Sequence, residues 1–387
     1  MSYPMIEIGE LMLKRNGSVD PSKFVDETFE LHSIPAFDRG FPDIVKGSEI
    51  GSSKQLVQEN DVMISKIVPH IRRASVVCKK GNFRQIASGE WIVFRSNKIY
   101  PDYLKHVLIS DNFNKQFMAT VSGVGGSLLR ARPAFVSKIK IALPPLEEQR
   151  RIASILDQAD ELRQKRQQAI EKLDQLLQAI FIDMFGDPAS NPKNFETIKF
   201  SKIGKWKSGA TPSKANENFW IGDFPWVSPK DMKVDHLFDA QDHISDLAFK
   251  ETNLKKIAKG HLLIVVRGMI LAHSFPTAIN EVDVSINQDM KAIEPIDQVN
   301  IVYLKCAIDA FKPFILELIS DAAHGTKRFD LVYAELINIP IPPLSLQLKF
   351  QTIYQKIKFE RLKYEKQLLE CDSLFKSLQN QAFSGTL

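Results

Sequence analysis

Cysteine is scarce in this sequence of 387 residues, and long apolar runs are absent. The three cysteines lie far apart and form no CxxC pair, so they predict reduced thiols rather than a disulfide framework or a zinc knuckle. No stretch approaches the ~18–20 apolar residues of a membrane span. The first residues have neither the basic nor the apolar region of a signal peptide. We therefore expect a cytoplasmic protein without membrane contact.

Motifs for catalysis are missing as well. There is no GxxxxGK[ST] loop, and "GVGGS" at 123–127 lacks the lysine that a nucleotide phosphate requires. The eight histidines contain no pair at the i, i+3 or i+4 spacing of a helical metal site. "FPD" at 41–43 is not followed by the Glu-x-Lys of an acidic nuclease site. We expect no catalytic residue, no metal and no cofactor bound by this chain.

The sequence also has only a small excess of charge of one sign. The 51 basic and 46 acidic residues leave a net charge of +5, which does not by itself indicate nucleic-acid binding. The placement of the bases is more informative, because many lie in loops rich in glycine, serine and threonine, where functional side chains concentrate. These loops are "VPHIRRAS" (68–75), "SGVGGSLLRARP" (122–133), "KSGATPSKANENFW" (207–220) and "AAHGTKRF" (322–329).

The chain does contain an internal repeat. "IALPPLEEQ" at 141–149 returns as "IPIPPLSLQ" at 339–347, 198 residues later. The same offset aligns Arg130 with Arg328 and Phe185 with Phe383. Upstream the offset becomes 200, where "YLK" occurs at 103–105 and 303–305 and "WIVF" (91–94) lies over "KAIE" (291–294). The repeat predicts two homologous halves, roughly 1–187 and 188–387.

A long helix is predicted after each Pro-Pro phrase, because apolar residues then recur at steps of three and four. The first series is Ile152, Ile155, Ala159, Leu162, Arg166, Ala169, Leu173, Leu176 and Ile180. The second is Phe350, Ile353, Ile357, Tyr364, Cys371, Leu374 and Leu378, with Leu368 and Phe375 beside it. Neither helix can bury its stripe alone, so we expect the two to pack as a coiled coil.

The remainder of each half has the pattern of a mixed α and β domain. Predicted strands cover 61–68, 91–95, 138–143, 262–267 and 336–341, and predicted helices cover 101–119 and 299–319. Pro313 is expected to kink the second of these helices.

Together these motifs resemble the specificity (S) subunit of type I restriction-modification systems. "IALPPLEEQRRIASILDQADELRQKR" is similar to the entrance of that family's first helix. "GATPSK" (209–214), "FWIGDFPWVSPKDM" (219–232) and "GTKRF" (325–329) are similar to one class of its target recognition domains. The first half departs from that class, with "SVDPSK" at 18–23 and "GGSLLRA" at 125–131.

The resemblance implies an α+β fold in which two target recognition domains are separated by two long helices that form an antiparallel coiled coil. Its boundaries are recognition domain 1 over 1–140, a first spacer and docking helix over 141–187, recognition domain 2 over 188–338 and a second such helix over 339–387. It also implies a DNA reader for an asymmetric bipartite target. Two modification subunits and the restriction subunits would be its partners, and would carry AdoMet, ATP and Mg²⁺.

Individual contacts follow from this resemblance and from the chemistry of the loops. Arginine and lysine can bond guanine edges or neutralise phosphates. The expected DNA contacts are Arg72, Arg73, Arg130 and Arg132 in the first domain and Lys214, Lys230, Arg267, Lys327 and Arg328 in the second. The expected partner contacts are Pro144, Pro145, Leu146, Gln149, Pro342, Pro343, Leu344 and Gln347. Trp220 and Trp226 are interpreted as packing residues rather than base stackers.

Two other functions remain open at this point. A stand-alone DNA-modifying enzyme would require motifs that the sequence lacks. A coiled-coil scaffold without a DNA function would not require basic loops.

The modular organisation gives a first testable prediction. Replacement of residues 190–336 by another domain of this class should change one half of the recognised DNA sequence and leave the other half intact. Mapping of methylated adenines in cells that express the chimaera with its modification subunit measures this. A change in both halves would contradict modularity.

Overall fold

The computed structural model describes residues 3–13, 17–79, 81–122, 129–320 and 327–387. They form two compact units. The first unit comprises residues 1–168 and 365–387, and the second comprises residues 169–364. In the described part of the chain, no helix is both long and apolar enough to cross a membrane.

The first unit combines small sheets with short helices. Its strands are β1 (Met5–Glu7), β2 (Ser18–Val19), β3 (Thr28–His32), β4 (Asp43–Lys46), β5 (Lys54–Leu56), β6 (Val62–Ser65), β7 (Ala74–Val76), β8 (Arg84–Ala87), β9 (Trp91–Phe94), β10 (Val121–Ser122), β11 (Arg130–Ala131) and β12 (Lys140–Ala142). Its helices are α1 (Ile34–Arg39), α2 (Pro101–Ile109), α3 (Asp111–Met118), α4 (Pro133–Val136) and the start of α5 (Leu146–Phe185). The strands pair in the orders β2-β5-β8-β3-β4, β7-β6-β9, β1-β12 and β10-β11.

The second unit repeats this plan. Its strands are β13 (Thr197–Lys199), β14 (Gly204–Ser208), β15 (Phe224–Val227), β16 (His236–Leu237), β17 (Asp242–Ile244), β18 (Leu262–Val265), β19 (Thr277–Asn280), β20 (Ser285–Ile286), β21 (Met290–Pro295) and β22 (Asn338–Pro340). Its helices are α6 (Asp246–Glu251), α7 (Ile301–Ala310), α8 (Lys312–Ser320), α9 (Leu331–Leu336) and the start of α10 (Leu344–Ser384). The strands pair in the orders β14-β21-β18-β19-β16, β17-β15-β20 and β13-β22.

A buried antiparallel strand pair lies at the centre of each unit and corrects the repeat by one residue. Val62 pairs with Phe94 in the first unit, whereas Leu262 pairs with Ile293 in the second. Phe94 therefore corresponds to Ile293, not to Glu294 as the offset of 200 predicted. The alignment there has no identical residues to fix it, whereas the sheet does, because a one-residue slip would turn every side chain to the opposite face.

Both predicted helices after these strands are broken in two. The helix predicted over 101–119 divides at Ser110, whose side-chain oxygen accepts a hydrogen bond from Phe113 N and caps α3. The helix predicted over 299–319 divides at Phe311, two residues before Pro313. The predicted kink near this proline is confirmed.

The two long helices run antiparallel within each unit. In the first unit, Arg151 contacts Leu387 and Arg163 contacts Asp372, so rising numbers on α5 meet falling numbers on α10. In the second unit the end of α5 meets the start of α10 in the same antiparallel order. There Asp174 contacts Arg361, and Phe185 packs on Phe350. The predicted antiparallel coiled coil is confirmed in this form.

The seam of the helix pair differs in part from the predicted one. Leu162, Leu176 and Leu374 are exposed, although the pattern placed them in the seam. Buried or half-buried neighbours take their place, namely Leu156, Arg163, Ile170 and Leu177 on α5 and Tyr354, Arg361 and Phe375 on α10, whereas the predicted Ile152, Phe350 and Ile357 are buried as expected. An arginine can hold such a position because its aliphatic stem covers apolar surface while its charge reaches an aspartate.

A buried glutamine attaches each mixed region to the first turn of its long helix. Gln149 is completely buried, its Oε1 accepts from Tyr100 N at 2.7 Å, and its Nε2 donates to the carbonyls of Lys98 and Pro144. Gln347 makes the same three bonds in the second unit. These reach Asn300 N at 2.8 Å and the carbonyls of Gln298 and Pro342.

This clamp predicts a large effect of a small change. Gln347→Ala should lower the free energy of unfolding by about 2–4 kcal/mol, because it removes a fully buried side chain and leaves one main-chain N–H and two carbonyls without their partner. Gln355→Ala removes an exposed glutamine of the same helix and should change it by less than about 0.5 kcal/mol. Urea unfolding of the two variants measures the difference, and equal midpoints would contradict the clamp.

Candidate nucleic-acid interface

Two loop segments of the second unit are joined by main-chain hydrogen bonds. Arg267 and Arg328 form an isolated antiparallel bridge. On either side of it, Phe329 N donates to Val266 O at 2.8 Å and Gly268 N donates to Lys327 O at 3.0 Å. The structure therefore brings together three of the predicted DNA contacts, Arg267, Lys327 and Arg328, although the first two lie 60 positions apart in the sequence.

The first unit contains the same bridge with different side chains. Ile67 pairs with Arg130, Ala131 N donates to Lys66 O at 2.8 Å, and Val68 N donates to Leu129 O at 3.1 Å. We call this pair of segments the loop frame: 66–68 with 129–131 in the first unit and 266–268 with 327–329 in the second. Arg130 and Arg328 are equivalent in it, whereas Arg267 corresponds to Ile67.

A carboxylate accompanies each loop frame, and sequence reasoning did not identify it. Lys66 N donates to Glu90 O, and Val266 N donates to Asp289 O, so these two acids are equivalent. Glu90 binds Arg130 at 3.2 Å, but Asp289 lies 3.5 Å from Arg267. The Arg328 side chain is exposed and has no hydrogen-bond or ion-pair partner in the described part of the chain. It is thus available to a ligand.

A cavity of about 250 Å³ opens beside the loop frame of the second unit. Arg267, Arg328 and Lys291 line it, together with Gln288 and Asp330. Lys291 Nζ is fixed by a 2.7 Å hydrogen bond to Ser208 Oγ. Three basic side chains at one opening favour the binding of an anion or of an electronegative base edge.

The "GATPSK" loop packs against the turn that lines this cavity. Ala210 N donates to Ile286 O at 3.0 Å, and a Cβ on Gly209 would lie 2.1 Å from the carbonyl oxygens of Ile286 and Asn287. Only glycine permits this approach of two backbones.

Trp220 and Trp226 hold the same loop, as predicted for packing residues. The indole nitrogen of Trp220 donates to Ser213 O at 3.2 Å, and that of Trp226 donates to Ala210 O at 3.1 Å. The two rings meet edge to face at 5.0 Å. They leave Lys214, at the end of the loop, exposed and without a side-chain partner among the described residues.

The other predicted DNA contacts are held by internal partners. Arg73 forms a bidentate pair with Asp38 at 2.6 and 2.8 Å and is only 11% exposed, and its guanidinium lowers the pKa of that carboxyl. Arg72 pairs with Asp111, and Lys230 pairs with Asp242 at 2.7 Å. If these side chains contact DNA, their ion pairs must either open or remain intact while the cationic group also contacts the DNA.

Arg132 stacks on Phe135 at 4.1 Å and remains exposed. The basic loops 122–133 and 322–329 of the sequence analysis also contain residues 123–128 and 322–326, which lie outside the described residues.

The predicted partner contacts divide into two sets, alike in both units. Pro144 and Pro342, like Gln149 and Gln347, are buried within their own unit. Their role is internal, because the glutamines satisfy the main chain there. Pro145, Leu146, Pro343 and Leu344 are exposed, and their contact with a partner remains a prediction.

Comparison with known proteins identifies the family. A model of the family described as "Type I restriction modification DNA specificity domain" matches residues 3–172 and, again, residues 192–370. These matches cover most of the chain, so the chain belongs to this family. Among the described residues, no group of three or more histidine, cysteine, aspartate or glutamate side chains could hold a metal ion.

Individual relatives match over shorter stretches. The chain is 33% identical over 156 residues to the type I restriction enzyme EcoR124I/EcoR124II specificity subunit of Escherichia coli, which is 40% of this chain and 39% of that protein. It is 29% identical over 187 residues to the type I restriction enzyme MjaIX specificity subunit of Methanocaldococcus jannaschii, which is 46% of this chain and 42% of that protein. The chain thus spans less than half the length of each of these relatives.

Similarity of fold extends over the whole chain. A chain solved in work on complex assembly and conformational transition of the type I R-M system is 21% identical, with a TM-score of 0.60 and coverage of 100% of this chain and 98% of that one. At 21% identity this similarity shows only that the two chains share a fold.

The close approach at Gly209 gives a stability prediction. Gly209→Ala should lower the free energy of unfolding by about 1–3 kcal/mol, because the added methyl group must displace main-chain carbonyls. Gly89→Ala is the control, since a Cβ there would meet nothing within 4 Å. Thermal unfolding of both variants measures the effect, and equal melting temperatures would show that the backbone adapts.

Proposed function

We propose that this chain is the sequence-specific DNA-recognition subunit of a type I restriction-modification complex, and that it reads an asymmetric bipartite target. The observation that supports this most directly is the loop frame. Each unit presents one, with an arginine at the same point. The two frames have the same main-chain bonds but different side chains. This fits a reader of two different half-sites, because side chains that contact bases set the sequence, whereas phosphate contacts set only the position.

The proposal assigns the two mixed regions to the two half-sites and the long helices to spacing and docking. The predicted domain boundaries, 1–140, 141–187, 188–338 and 339–387, remain part of it. In this assignment the chain itself is not catalytic and binds no cofactor.

The proposed partners are double-stranded DNA, two modification subunits and restriction subunits. AdoMet, ATP and Mg²⁺ would be bound by those subunits. Exposed leucines at equivalent positions of the two helices favour docking of one kind of partner at two places: Leu176 is 47% exposed and Leu374 is 51% exposed. Leu146 and Leu344 form a second equivalent pair, at the helix starts. Apolar side chains at matched positions are suited to be covered by a partner subunit.

Methylation mapping tests the proposal directly. The chain is co-expressed with the modification subunit of its system, and methylated adenines are mapped across the host genome. A single bipartite motif with two unlike halves supports the proposal. A purified chain that modifies DNA on its own would support a stand-alone enzyme, and an assembled complex without salt-dependent DNA binding would support a scaffold. The comparisons favour neither alternative.

Arg328 provides a test at one residue. Arg328→Ala should weaken DNA binding by the assembled complex by about 1–3 kcal/mol if the guanidinium bonds a base edge in two places. Arg328→Lys should restore little of that loss, because lysine keeps the charge but not the planar fork.

The matched control is Lys255→Ala, which removes one exposed positive charge from the same unit. Titration of labelled target DNA at fixed salt measures all three variants. Equal affinity for Arg328→Ala and the control would make Arg328 an ordinary surface charge.

A further inference from the structure

A tight turn next to each loop frame has the same hydrogen bonds in both units. In the first unit, Ser88 N donates to His32 O at 3.0 Å, Ser88 Oγ accepts from Glu90 N at 3.2 Å, and Trp91 N donates to Ser88 O at 3.2 Å. The side chain of the turn's first residue thus closes the turn on the acid two residues later.

In the second unit, Asn287 replaces that serine and makes the same set of bonds. Asn287 N donates to Val227 O at 2.9 Å, Asn287 Oδ1 accepts from Asp289 N at 2.9 Å, and Met290 N donates to Asn287 O at 3.2 Å. The turn 88–90 therefore corresponds to 287–289, residue for residue. Its tip is Gly89 in one unit and Gln288 in the other.

Gln288 has the properties of a side chain presented to a ligand. It is exposed, and its amide has no hydrogen-bond partner among the described residues. It lines the 250 Å³ cavity together with Arg267 and Arg328. The turn below it is held firmly, because Asn287 is 7% exposed and the backbone at Gly209 packs directly on it.

The residue at the tip of the turn differs between the two units, although the turn itself does not. The turn has the same hydrogen bonds in both units, so a residue that the turn requires at its tip would be the same in both. Gly89 shows that the turn forms without a side chain at its tip. The glutamine thus adds an amide donor and acceptor to a basic cavity without any visible structural gain.

We propose that Gln288 specifies an adenine in the half-site read by the second unit. A glutamine amide matches adenine in the major groove, because its oxygen accepts from N6 and its nitrogen donates to N7. Arg267 and Arg328 flank it and supply contacts to guanine or to phosphate. Gly89 offers no such pair at the equivalent point, so the first unit reads that point differently. This inference rests on the proposed DNA-recognition function.

Two substitutions at the tip test the inference in the full chain, assembled with its modification subunit. Gln288→Gly installs the residue of the first unit, and Gln288→Glu keeps the shape but replaces the amide with a carboxylate. Gln298→Ala is the control, an exposed glutamine of the same unit whose main-chain carbonyl binds Gln347. Methylated motifs are mapped for each variant, and melting temperatures are recorded alongside.

For Gln288→Gly we expect the preference for adenine at one position of one half-site to fall by roughly 5- to 150-fold, with all other positions kept. For Gln288→Glu the same position should shift toward cytosine, whose N4 amino group donates to a carboxylate. The control should give the unchanged motif.

Three outcomes are distinguishable from the expected one. If both variants keep the original motif, Gln288 does not read a base, although the proposed function stands. If methylation falls equally at all sequences, Gln288 contacts a phosphate and the inference is overturned. If the unsubstituted complex yields no motif at all, the proposed function itself fails. Should Gln288→Gly lower the melting temperature, Gln288→Glu, which keeps the side chain's shape, decides the question.

Discussion

The architecture depends on one buried glutamine in each unit. Gln149 and Gln347 satisfy main-chain groups at the junction of three segments: the loop before a helix, the Pro-Pro phrase and the first turn of a long helix. Leaving such groups without partners beside a fully buried side chain costs free energy. Because one side chain satisfies all of them, each mixed region is fixed to the start of its helix. The loop frames are thereby carried on a rigid support.

The helix pair likewise uses one equivalent ion pair in each unit. Arg163 binds Asp372 in the first unit, and Arg361 binds Asp174 in the second, and the two pairs are equivalent through the internal repeat. Pairs of this exposure contribute little stability, about 0–1 kcal/mol. They do specify which residues face each other, because a shifted helix would leave an arginine among apolar side chains. Packing holds the helices together, and the ion pairs set the register.

Much of this fold could be predicted from the sequence, because the Pro-Pro phrases and the identical "YLK" segments fix the repeat. The details that could not be predicted have physical causes. The seam prediction chose Leu162 where the structure has Arg163, and it passed over Arg361, since a pattern of apolar letters favours a leucine over the aliphatic stem of a neighbouring arginine. The one-residue offset at β9 and β21 was missed because no identity marks it. Glu90 and Asp289 were missed because their contacts arise only when distant segments of the chain meet.

The candidate site shows how two halves can keep one fold and yet differ in what they recognise. The main-chain bonds of the loop frame and of the adjoining turn are the same in both units, so the backbone does not depend on the side chains that point away from it. A change from Ile67 to Arg267, or from Gly89 to Gln288, alters the chemistry of the cavity at little cost in stability, because both positions project from hydrogen-bonded main chain. Recognition can therefore diverge at these positions, while the glutamine clamps and the helix register hold the support unchanged.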